Sequence, residues 1–277
     1  MMNYADVRAL VTLALDEDIG SGDVTTAACI EADRMAVGRY YARQDAVLAG
    51  IGLLELIYQM RGGVQDIHLP VADGQRVSEG QLVAEVHGKA RTLLECERVS
   101  LNFLQRLSGI ATLARRYTDA VSGTGCKVLD TRKTTPGLRR LEKMAAAAGG
   151  VQNHRMGLYD AILIKNNHIV AAGGIRAALL RVEQSPLFVE IEVRTHAELE
   201  EALRCGAKNL LLDNLTPVQA AEWIRFIAGR ATTELSGNIT LDTVRAYAET
   251  GANFVSSGAI THSAAAADFN FRIELLP

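Results

Sequence analysis

Basic side chains are concentrated in one stretch of the chain, DTRKTTPGLRRLEKMAAAAGGVQNHRMGLYDAILIKNNH, residues 130–168. They are Arg132, Lys133, Arg139, Arg140, Lys143, His154, Arg155 and Lys165. A solvated helix face is the ordinary explanation, and it suits the three cations of RRLEK. It does not suit Arg132, Lys133 and Lys165, because each follows a short apolar run (KVLDT or AILI) that is typical of a buried strand. Positive charge at strand ends indicates a binding site for an anion.

Short apolar runs recur from residue 127 onward, and most are separated by segments with helical periodicity. The six runs are KVLDT, AILIKNN, FVEIEV, NLLLDN, TELSGN and FVSSGA, and the helical segments include THAELEEALRCGA and TPVQAAEWIRFIAG. Alternating strands and helices predict βα units and a parallel sheet. This number of units favours a closed or nearly closed α/β barrel. A dinucleotide-binding fold is less consistent with the pattern, because no GxGxxG follows the first strand.

The residues that end these runs should share one face of the barrel, because the active site of an α/β barrel lies at the C-terminal ends of its strands. In chain order they are Arg132-Lys133, Lys165-Asn166, Glu192, Asp213-Asn214, Ser236-Gly237 and Ser257-Gly258. Carboxylates opposite a basic cluster suit Mg²⁺, which prefers oxygen ligands and commonly bridges phosphates. Backbone N–H groups at Ser-Gly turns suit a phosphate. The pattern therefore predicts a ligand with at least one phosphate, held partly through a metal ion.

Several of these residues also have an ordinary structural explanation. Asp213 could cap the helix that follows it, and Ser236-Gly237 could be a tight turn. His262, in SSGAITHS, fits a helix cap as well as it fits a ligand-binding residue. His154 stands directly beside Arg155 in the basic stretch, which favours a role in binding for this histidine.

The first part of the chain lacks the regular alternation of strand and helix. Residues 35–48 are strand-like, and residues 93–107 have the spacing of a long helix. The segment VADGQRVSEGQLVAEVHG has two turn signals between alternating apolar residues, which indicates a small β-hairpin layer. The final residues, DFNFRIELL, are typical of a strand that returns to this part. We expect an N-terminal domain of residues 1–110 that includes the tail 265–277, and a barrel domain of residues 111–264.

Composition limits the classes of function. The 277 residues are 48% hydrophobic and 22% charged, as in a soluble globular protein, and the net charge of −3 argues against bulk binding to nucleic acid. The four cysteines lie far apart with no CxxC pair, which argues for reduced thiols and against a zinc site. No apolar run has the length of a membrane span, and the first residues lack the pattern of a signal peptide. We therefore expect a cytoplasmic protein that binds neither membranes nor nucleic acid.

The motifs of the chain resemble, in the same order, those of the quinolinate phosphoribosyltransferases, which are type II phosphoribosyltransferases of NAD biosynthesis. The matching segments are LDEDIGSGDVTT, ERVSLNFLQRLSGIAT, DTRKTTPG, NHRMGLYDAILIKNNH, EIEVRTHAELEEAL, LLDN, ELSGNIT and SSGAITHS. They cover nearly the whole chain. The resemblance implies an N-terminal α/β sandwich, joined by the C-terminal tail, and an incomplete α/β barrel of about seven strands.

The resemblance also implies a reaction and roles for named residues. Quinolinate and phosphoribosyl pyrophosphate would give nicotinate mononucleotide, pyrophosphate and CO₂ with Mg²⁺ as cofactor, in a homodimer or a larger assembly whose subunits share active sites. Quinolinate would be bound by Arg132, His154, Arg155, Lys165 and, from a second subunit, Arg98. Phosphate groups would be bound by Lys133, Ser236, Gly237, Gly258 and His262. Glu192 and Asp213 would hold the metal and the ribose-pyrophosphate, and with Lys133 and Lys165 they are the expected catalytic residues.

Two other functions are compatible with the residues alone. A barrel lyase or aldolase would use Lys165 as a Schiff-base nucleophile. That function leaves the accumulation of arginines unexplained. A non-catalytic protein that binds a phosphorylated metabolite is the second alternative, and it has no need for the negative charges of Glu192 and Asp213.

Overall fold

The computed structural model describes residues 7–276, so the expected domain limits at residues 1 and 277 lie outside the described part. The helices are α1 (Arg8–Ile19), α2 (Val24–Cys29), α3 (Leu53–Met60), α4 (Ala90–Ala120), α5 (Arg139–Ala148), α6 (Asn166–Ala172), α7 (Ile175–Val182), α8 (His196–Arg204), α9 (Pro217–Ile227), α10 (Val244–Ala248) and α11 (Ala259–His262). The strands are β1 (Met35–Ala42), β2 (Ala46–Val47), β3 (Asp66–His68), β4 (Arg76–Val77), β5 (Leu82–Lys89), β6 (Lys127–Leu129), β7 (Ile162–Ile164), β8 (Val189–Val193), β9 (Asn209–Asp213), β10 (Thr232–Ser236), β11 (Phe254–Ser256) and β12 (Phe269–Leu275). Among the described residues, no helix combines the length and the apolar character needed to cross a membrane.

The elements form two compact units, each made from more than one piece of chain. The first unit contains residues 7–114, Pro136–Gly150 and the residues from Ala264 onward. The second unit contains Arg115–Thr135 and Val151–Ser263. Helix α5 therefore belongs to the first unit, although in the sequence it lies between two strands of the second.

A four-stranded antiparallel sheet, in the order β12-β1-β5-β3, is the framework of the first unit. β12 is the strand predicted at the end of the chain, and it pairs with β1 from Leu275 opposite Ala36 to Phe269 opposite Ala42. The segment before β12 passes directly against α4. A Cβ atom on Gly109 would lie 2.0 Å from the carbonyl oxygen of Ala265, so this contact requires glycine in the helix.

The second unit is built on a six-stranded parallel sheet in the order β6-β11-β10-β9-β8-β7. The six strands predicted from the apolar runs are all present. Ile191, Leu210 and Leu212 in the central strands are fully buried. At the edge of the sheet, Leu129 makes an isolated parallel bridge with Gln152. This unit is the predicted incomplete α/β barrel, and the carboxyl ends of its strands lie at one face.

Local sequence signals explain where two helices of the barrel begin. The side chains of Thr195 and Thr216 accept hydrogen bonds from the backbone N–H groups of Glu198 and Gln219, which caps α8 and α9. The side chain of Gln219 bonds back to the cap residue, and Pro217 occupies the start of α9. These caps separate each helix from the strand before it, so the residues between them are available to the site.

Two local predictions were wrong. The predicted hairpin does not form, because β4 pairs with β2, whereas β5 pairs with β1 and β3. Lys143 does not lie on a solvated helix face, since it is fully buried on α5 beside the equally buried Glu142. Turn signals show where the chain reverses, but the partner of each strand and the covered face of each helix depend on residues far away in the sequence.

Candidate active site

A cavity of about 910 Å³ opens at the carboxyl ends of the strands in the second unit. The site residues predicted within the barrel all line it: Arg132, Lys133, His154, Arg155, Lys165, Glu192, Asp213, Ser236, Gly237, Gly258 and His262. The parallel sheet explains this convergence, because it brings the ends of all its strands to the same face.

Three cations of the cavity follow the two strands at the edges of the sheet. Arg132 and Lys133 come shortly after β6, and Lys165 is the N-cap residue of α6, directly after β7. Burial lowers the pKa of the Arg155 guanidinium, and the charge of Arg132 lowers it further. The two arginines are therefore close enough to repel each other, and an anion between them would relieve that repulsion.

The two predicted metal ligands lie on neighbouring strands, Glu192 on β8 and Asp213 on β9. Burial raises the pKa of the Glu192 carboxyl, and the negative charge of Asp213 raises it further, whereas Lys165 and Arg194 lower it. Two half-buried carboxylates that repel each other form a set of oxygen ligands suited to a divalent cation. Asp213 is not a helix cap, because Thr216 caps the helix that follows.

Two glycines of the cavity allow close contacts that a side chain would prevent. Gly237 has a φ of 107°, and a Cβ atom there would lie 2.3 Å from Oδ1 of Asn214. A Cβ atom on Gly258 would lie 2.7 Å from Cδ of Lys133 and 3.1 Å from Cδ2 of His262. Gly258 thus lets Lys133 and His262 approach the same turn. His262 is the last residue of α11, so it does not cap the start of that helix.

Two buried glutamates of the site were missed by the sequence analysis. Glu190 and Glu234 are 4% and 3% exposed, and their Oε2 atoms lie 3.3 Å and 3.4 Å from Nε2 of His154. Side chains two residues apart in a strand point to the same face. Glu190 therefore shares its face with Glu192, and Glu234 shares its face with Ser236. The period of two within EIEV and ELS could have indicated this shared face, but it does not report the contact with His154.

The ring of His154 lies between these glutamates and the backbone. Burial lowers the pKa of the His154 ring, whereas the hydrogen bonds and negative charges of Glu190 and Glu234 raise it. In contrast, the backbone N–H of Arg155 donates to Nδ1 at 2.7 Å, which requires a lone pair on that nitrogen. A charged ring would set two donors against each other at this distance. We therefore assign a neutral ring with its proton on Nε2 from these partners.

Comparisons with known proteins identify relatives along nearly the whole chain. The family models described as the N-terminal and C-terminal domains of quinolinate phosphoribosyl transferase match residues 23–108 and 110–272. Quinolinate phosphoribosyltransferase [decarboxylating] 1b of Nicotiana tabacum is 40% identical over 291 residues, a match that covers 97% of this chain and 83% of the relative. The crystal structure of NadC from Streptococcus pyogenes has a TM-score of 0.95 and 38% identity, and covers 100% of this chain and 99% of its own. The structure of the nicotinate-nucleotide pyrophosphorylase from Francisella tularensis has a TM-score of 0.93 and 36% identity, and the match covers 99% of this chain and 98% of that chain.

The chain belongs to the quinolinate phosphoribosyltransferase family. The resemblance inferred from the motifs is therefore confirmed.

Arg98 is the remaining site residue that the resemblance implied. It lies in the first unit, where it is exposed on α4. Glu95, one helical turn earlier, pairs with Arg61 at 2.5 Å. Helix spacing would also allow Glu95 to form an i,i+3 ion pair with Arg98, but the structure pairs Glu95 with Arg61 instead.

Proposed function

We propose that the protein transfers the phosphoribosyl group of phosphoribosyl pyrophosphate to quinolinate with loss of CO₂. The other products are nicotinate mononucleotide, which leads to NAD, and pyrophosphate. One observation carries the proposal: a single cavity combines a cluster of cations, two neighbouring carboxylates and two Ser-Gly turns. The names of the Nicotiana tabacum and Francisella tularensis relatives support the same reaction.

The cations of the cavity match the shape and charge of quinolinate, which has two adjacent carboxylates on a flat ring. Arg132 and Arg155 suit these carboxylates because a guanidinium pairs with a carboxylate in one plane through two hydrogen bonds. Nη1 of Arg155 donates to the carbonyl oxygen of Ala161 at 3.0 Å, which orients the guanidinium. Lys165 adds a third positive charge. A dianion would offset the repulsion between the two arginines.

The remaining cavity residues suit phosphoribosyl pyrophosphate and a metal ion. Lys133, His262 and the backbone N–H groups of the two Ser-Gly turns are the proposed phosphate ligands. Mg²⁺ fits Glu192 and Asp213, because both offer only oxygen atoms and their repulsion is relieved by a cation. When bound there, Mg²⁺ supplies positive charge that stabilises the departing pyrophosphate.

The residues of the chain act mainly by positioning the two substrates. With both carboxylates paired, the ring nitrogen of quinolinate is held in line with the anomeric carbon of the ribose. The C–O bond to pyrophosphate breaks as the N–C bond forms, through a state with oxocarbenium character. The ring nitrogen is then cationic, and it stabilises the electron pair left behind when the adjacent carboxylate leaves as CO₂. A proton then adds to that ring carbon.

The proposal includes a homodimer with shared active sites. Arg98 is exposed, and Glu95, one helical turn before it, is engaged by Arg61. A pocket for two adjacent carboxylates needs more positive charge than one barrel can gather without repulsion between its own cations. Arg98 of one subunit would supply that charge to the pocket of the other subunit.

Substrate selection tests the proposed reaction. The protein is incubated with phosphoribosyl pyrophosphate, Mg²⁺ and either quinolinate or nicotinate, and pyrophosphate is measured. We expect release with quinolinate and not with nicotinate, which lacks the second carboxylate. Equal release with both substrates would contradict the proposed dicarboxylate pocket. Borohydride treatment in the presence of a carbonyl substrate separates the lyase alternative, because only a Schiff base would leave an adduct on Lys165.

A further inference from the structure

We propose that His154 is a positioning residue that sets the guanidinium of Arg155 and does not itself donate a hydrogen bond to the substrate. The inference rests on the proposed binding of quinolinate by Arg155. It departs from the family resemblance, which implied that His154 binds quinolinate directly.

Both ring nitrogens of His154 already have partners within the protein. Nε2 faces the Oε2 atoms of Glu190 and Glu234 at 3.3 Å and 3.4 Å, and Nδ1 accepts the backbone N–H of Arg155 at 2.7 Å. A neutral imidazole has one N–H group, and the proton on Nε2 is directed at the two carboxylates. The ring therefore has no N–H group left for a carboxylate of the substrate.

The backbone around His154 is held by a third buried carboxylate. Asp130 is fully buried and accepts the backbone N–H of His154 at 2.8 Å and Nδ2 of Asn153 at 2.6 Å. The segment 153–155 is thus attached to acidic side chains from β8, from β10 and from the residue after β6. These carboxylates also offset the positive charge that the cavity gathers.

Arg155 depends on this arrangement at its backbone. Its N–H is bound to the His154 ring, and its Nη1 is bound to the carbonyl oxygen of Ala161. Removing the ring would leave one of these two anchors. It would also leave Glu190 and Glu234 without the donor they share, and the repulsion between them would act on the same segment. We therefore expect loss of His154 to weaken quinolinate binding indirectly, by disturbing the position of Arg155.

The same three side chains also form a donor set for a metal ion. A histidine that binds a metal through one nitrogen normally donates the N–H of its other nitrogen to an acceptor. Nδ1 of His154 instead accepts a hydrogen bond from the backbone. The arrangement therefore favours a proton, not a metal ion, between His154 and the glutamates.

A double-mutant cycle tests the inference by calorimetric titration with quinolinate. The variants are His154→Ala, Arg155→Ala and the double variant, and His68→Ala is the control because His68 is exposed in the first unit. We expect His154→Ala to weaken quinolinate binding about tenfold or more in the wild-type background, and less than about threefold in the Arg155→Ala background. Phosphoribosyl pyrophosphate affinity should change less than about threefold. Equal factors in both backgrounds would show an independent contact with quinolinate and overturn the inference.

Nitrogen NMR of the histidine-labelled wild-type protein gives a second result that does not depend on a variant. The resonance of His154 is identified by its loss in His154→Ala. We expect a neutral ring with its proton on Nε2, both before and after saturation with quinolinate. A charged ring, a proton on Nδ1 alone, or a metal ion found bound to these residues would overturn the inference. Wild-type protein that binds no quinolinate would overturn the proposed function and this inference together, whereas binding with an additive cycle would overturn the inference alone.

Discussion

Three cations that line one cavity, Arg132, Arg155 and Lys165, carry the proposed recognition of quinolinate. We expect Arg132→Ala to cost about 2–5 kcal/mol of quinolinate binding, because it removes one partner of a charge pair that the bound ligand buries. Lys165 is exposed and Arg132 is half-buried, so Lys165→Ala should lie at the lower end of that range. Calorimetry should show a larger loss for quinolinate than for phosphoribosyl pyrophosphate.

Lys208→Ala is the matched control for these two changes, because Lys208 is an exposed lysine of the same unit outside this cavity. It should leave both affinities unchanged. Equal loss of affinity for quinolinate and phosphoribosyl pyrophosphate in the Arg132 and Lys165 variants would argue against their assignment to the dicarboxylate.

Asp213→Asn tests the proposed metal site at the same scale. The substitution keeps the shape of the side chain and removes its charge, and Thr216 still caps α9. We expect lower turnover and a Mg²⁺ requirement raised about tenfold or more, as a loss of at least about 1.4 kcal/mol of metal binding would produce. Asp242→Asn, at an exposed carboxylate outside the cavity, is the control. Wild-type activity with an unchanged Mg²⁺ titration would mean that Asp213 does not act through the metal.

The residues that stand at strand ends were predictable, whereas the buried ones behind them were not. Lys165 follows an apolar run and Asp213 ends one, so their position alone indicates the site. Glu190 and Glu234 lie within such runs, where a charged side chain is unfavourable unless it has a partner. Their partner, His154, comes from a different segment of the chain. No local pattern reports a contact of that kind.

At the scale of elements, the turn after β10 depends on Gly237. Any side chain at this position is disfavoured for two reasons. Its φ is 107°, and a Cβ atom would lie 2.3 Å from Oδ1 of Asn214. Gly206 also has a positive φ, 83°, but a Cβ atom there would have nothing within 4 Å. We expect Gly206→Ala to lower the free energy of unfolding by about 1 kcal/mol from backbone strain. Gly237→Ala should lower it by about 1–3 kcal/mol more, because of the clash.

Chemical denaturation of both variants measures this difference. Because both positions have positive φ, the comparison isolates the contact with Asn214 from the cost of the backbone conformation. Gly237→Ala should also weaken phosphoribosyl pyrophosphate binding, since the turn is a proposed phosphate ligand. Equal destabilisation by the two substitutions, with normal substrate affinity, would show that the turn is not built around this close approach.

The prediction of elements was best where a segment has a clear period and clear ends. The six barrel strands were predicted from their apolar runs, and the strand-like residues 35–48 contain β1 and β2. Helix α4 extends well beyond the predicted residues 93–107, to Ala120. Gly109 explains why the predicted helix ended too early. A glycine normally weakens a helix, but here the close contact with Ala265 requires one. The local sequence contains the glycine and not its distant partner.

At the scale of the whole molecule, a shared active site predicts complementation between two inactive variants. Arg98→Ala and Lys165→Ala should each lose activity, because each removes a cation from every pocket of a homodimer. In a mixed dimer, one pocket has both defects and the other has neither. Random exchange of subunits should therefore restore about a quarter of the wild-type sites. Activity of the mixture is measured against each variant alone.

Folding of both variants is checked first, and heterodimers are verified with two different affinity tags. Recovery of activity in purified heterodimers is the expected outcome. If both single variants are folded and inactive and the verified heterodimers remain inactive, Arg98 serves its own chain and the shared-site proposal is wrong.

The overall organisation was predictable where sequence order and spatial order agree. The succession of strands and helices from residue 127 predicts the barrel directly. The return of Pro136–Gly150 to the first unit was not predictable, because this segment lies between two barrel strands and carries an ordinary helical pattern. Its burial depends on contacts within the other unit, which is also why Lys143 is buried rather than solvated.

The stoichiometry of the products tests the proposed function most directly. The protein is given phosphoribosyl pyrophosphate, Mg²⁺ and quinolinate labelled in the carboxylate next to the ring nitrogen, and all products are quantified. We predict equal amounts of nicotinate mononucleotide, pyrophosphate and labelled CO₂, and loss of all three together in Lys165→Ala. Pyrophosphate without labelled CO₂, or labelled CO₂ without phosphoribosyl pyrophosphate, would contradict coupled phosphoribosyl transfer and decarboxylation in this cavity.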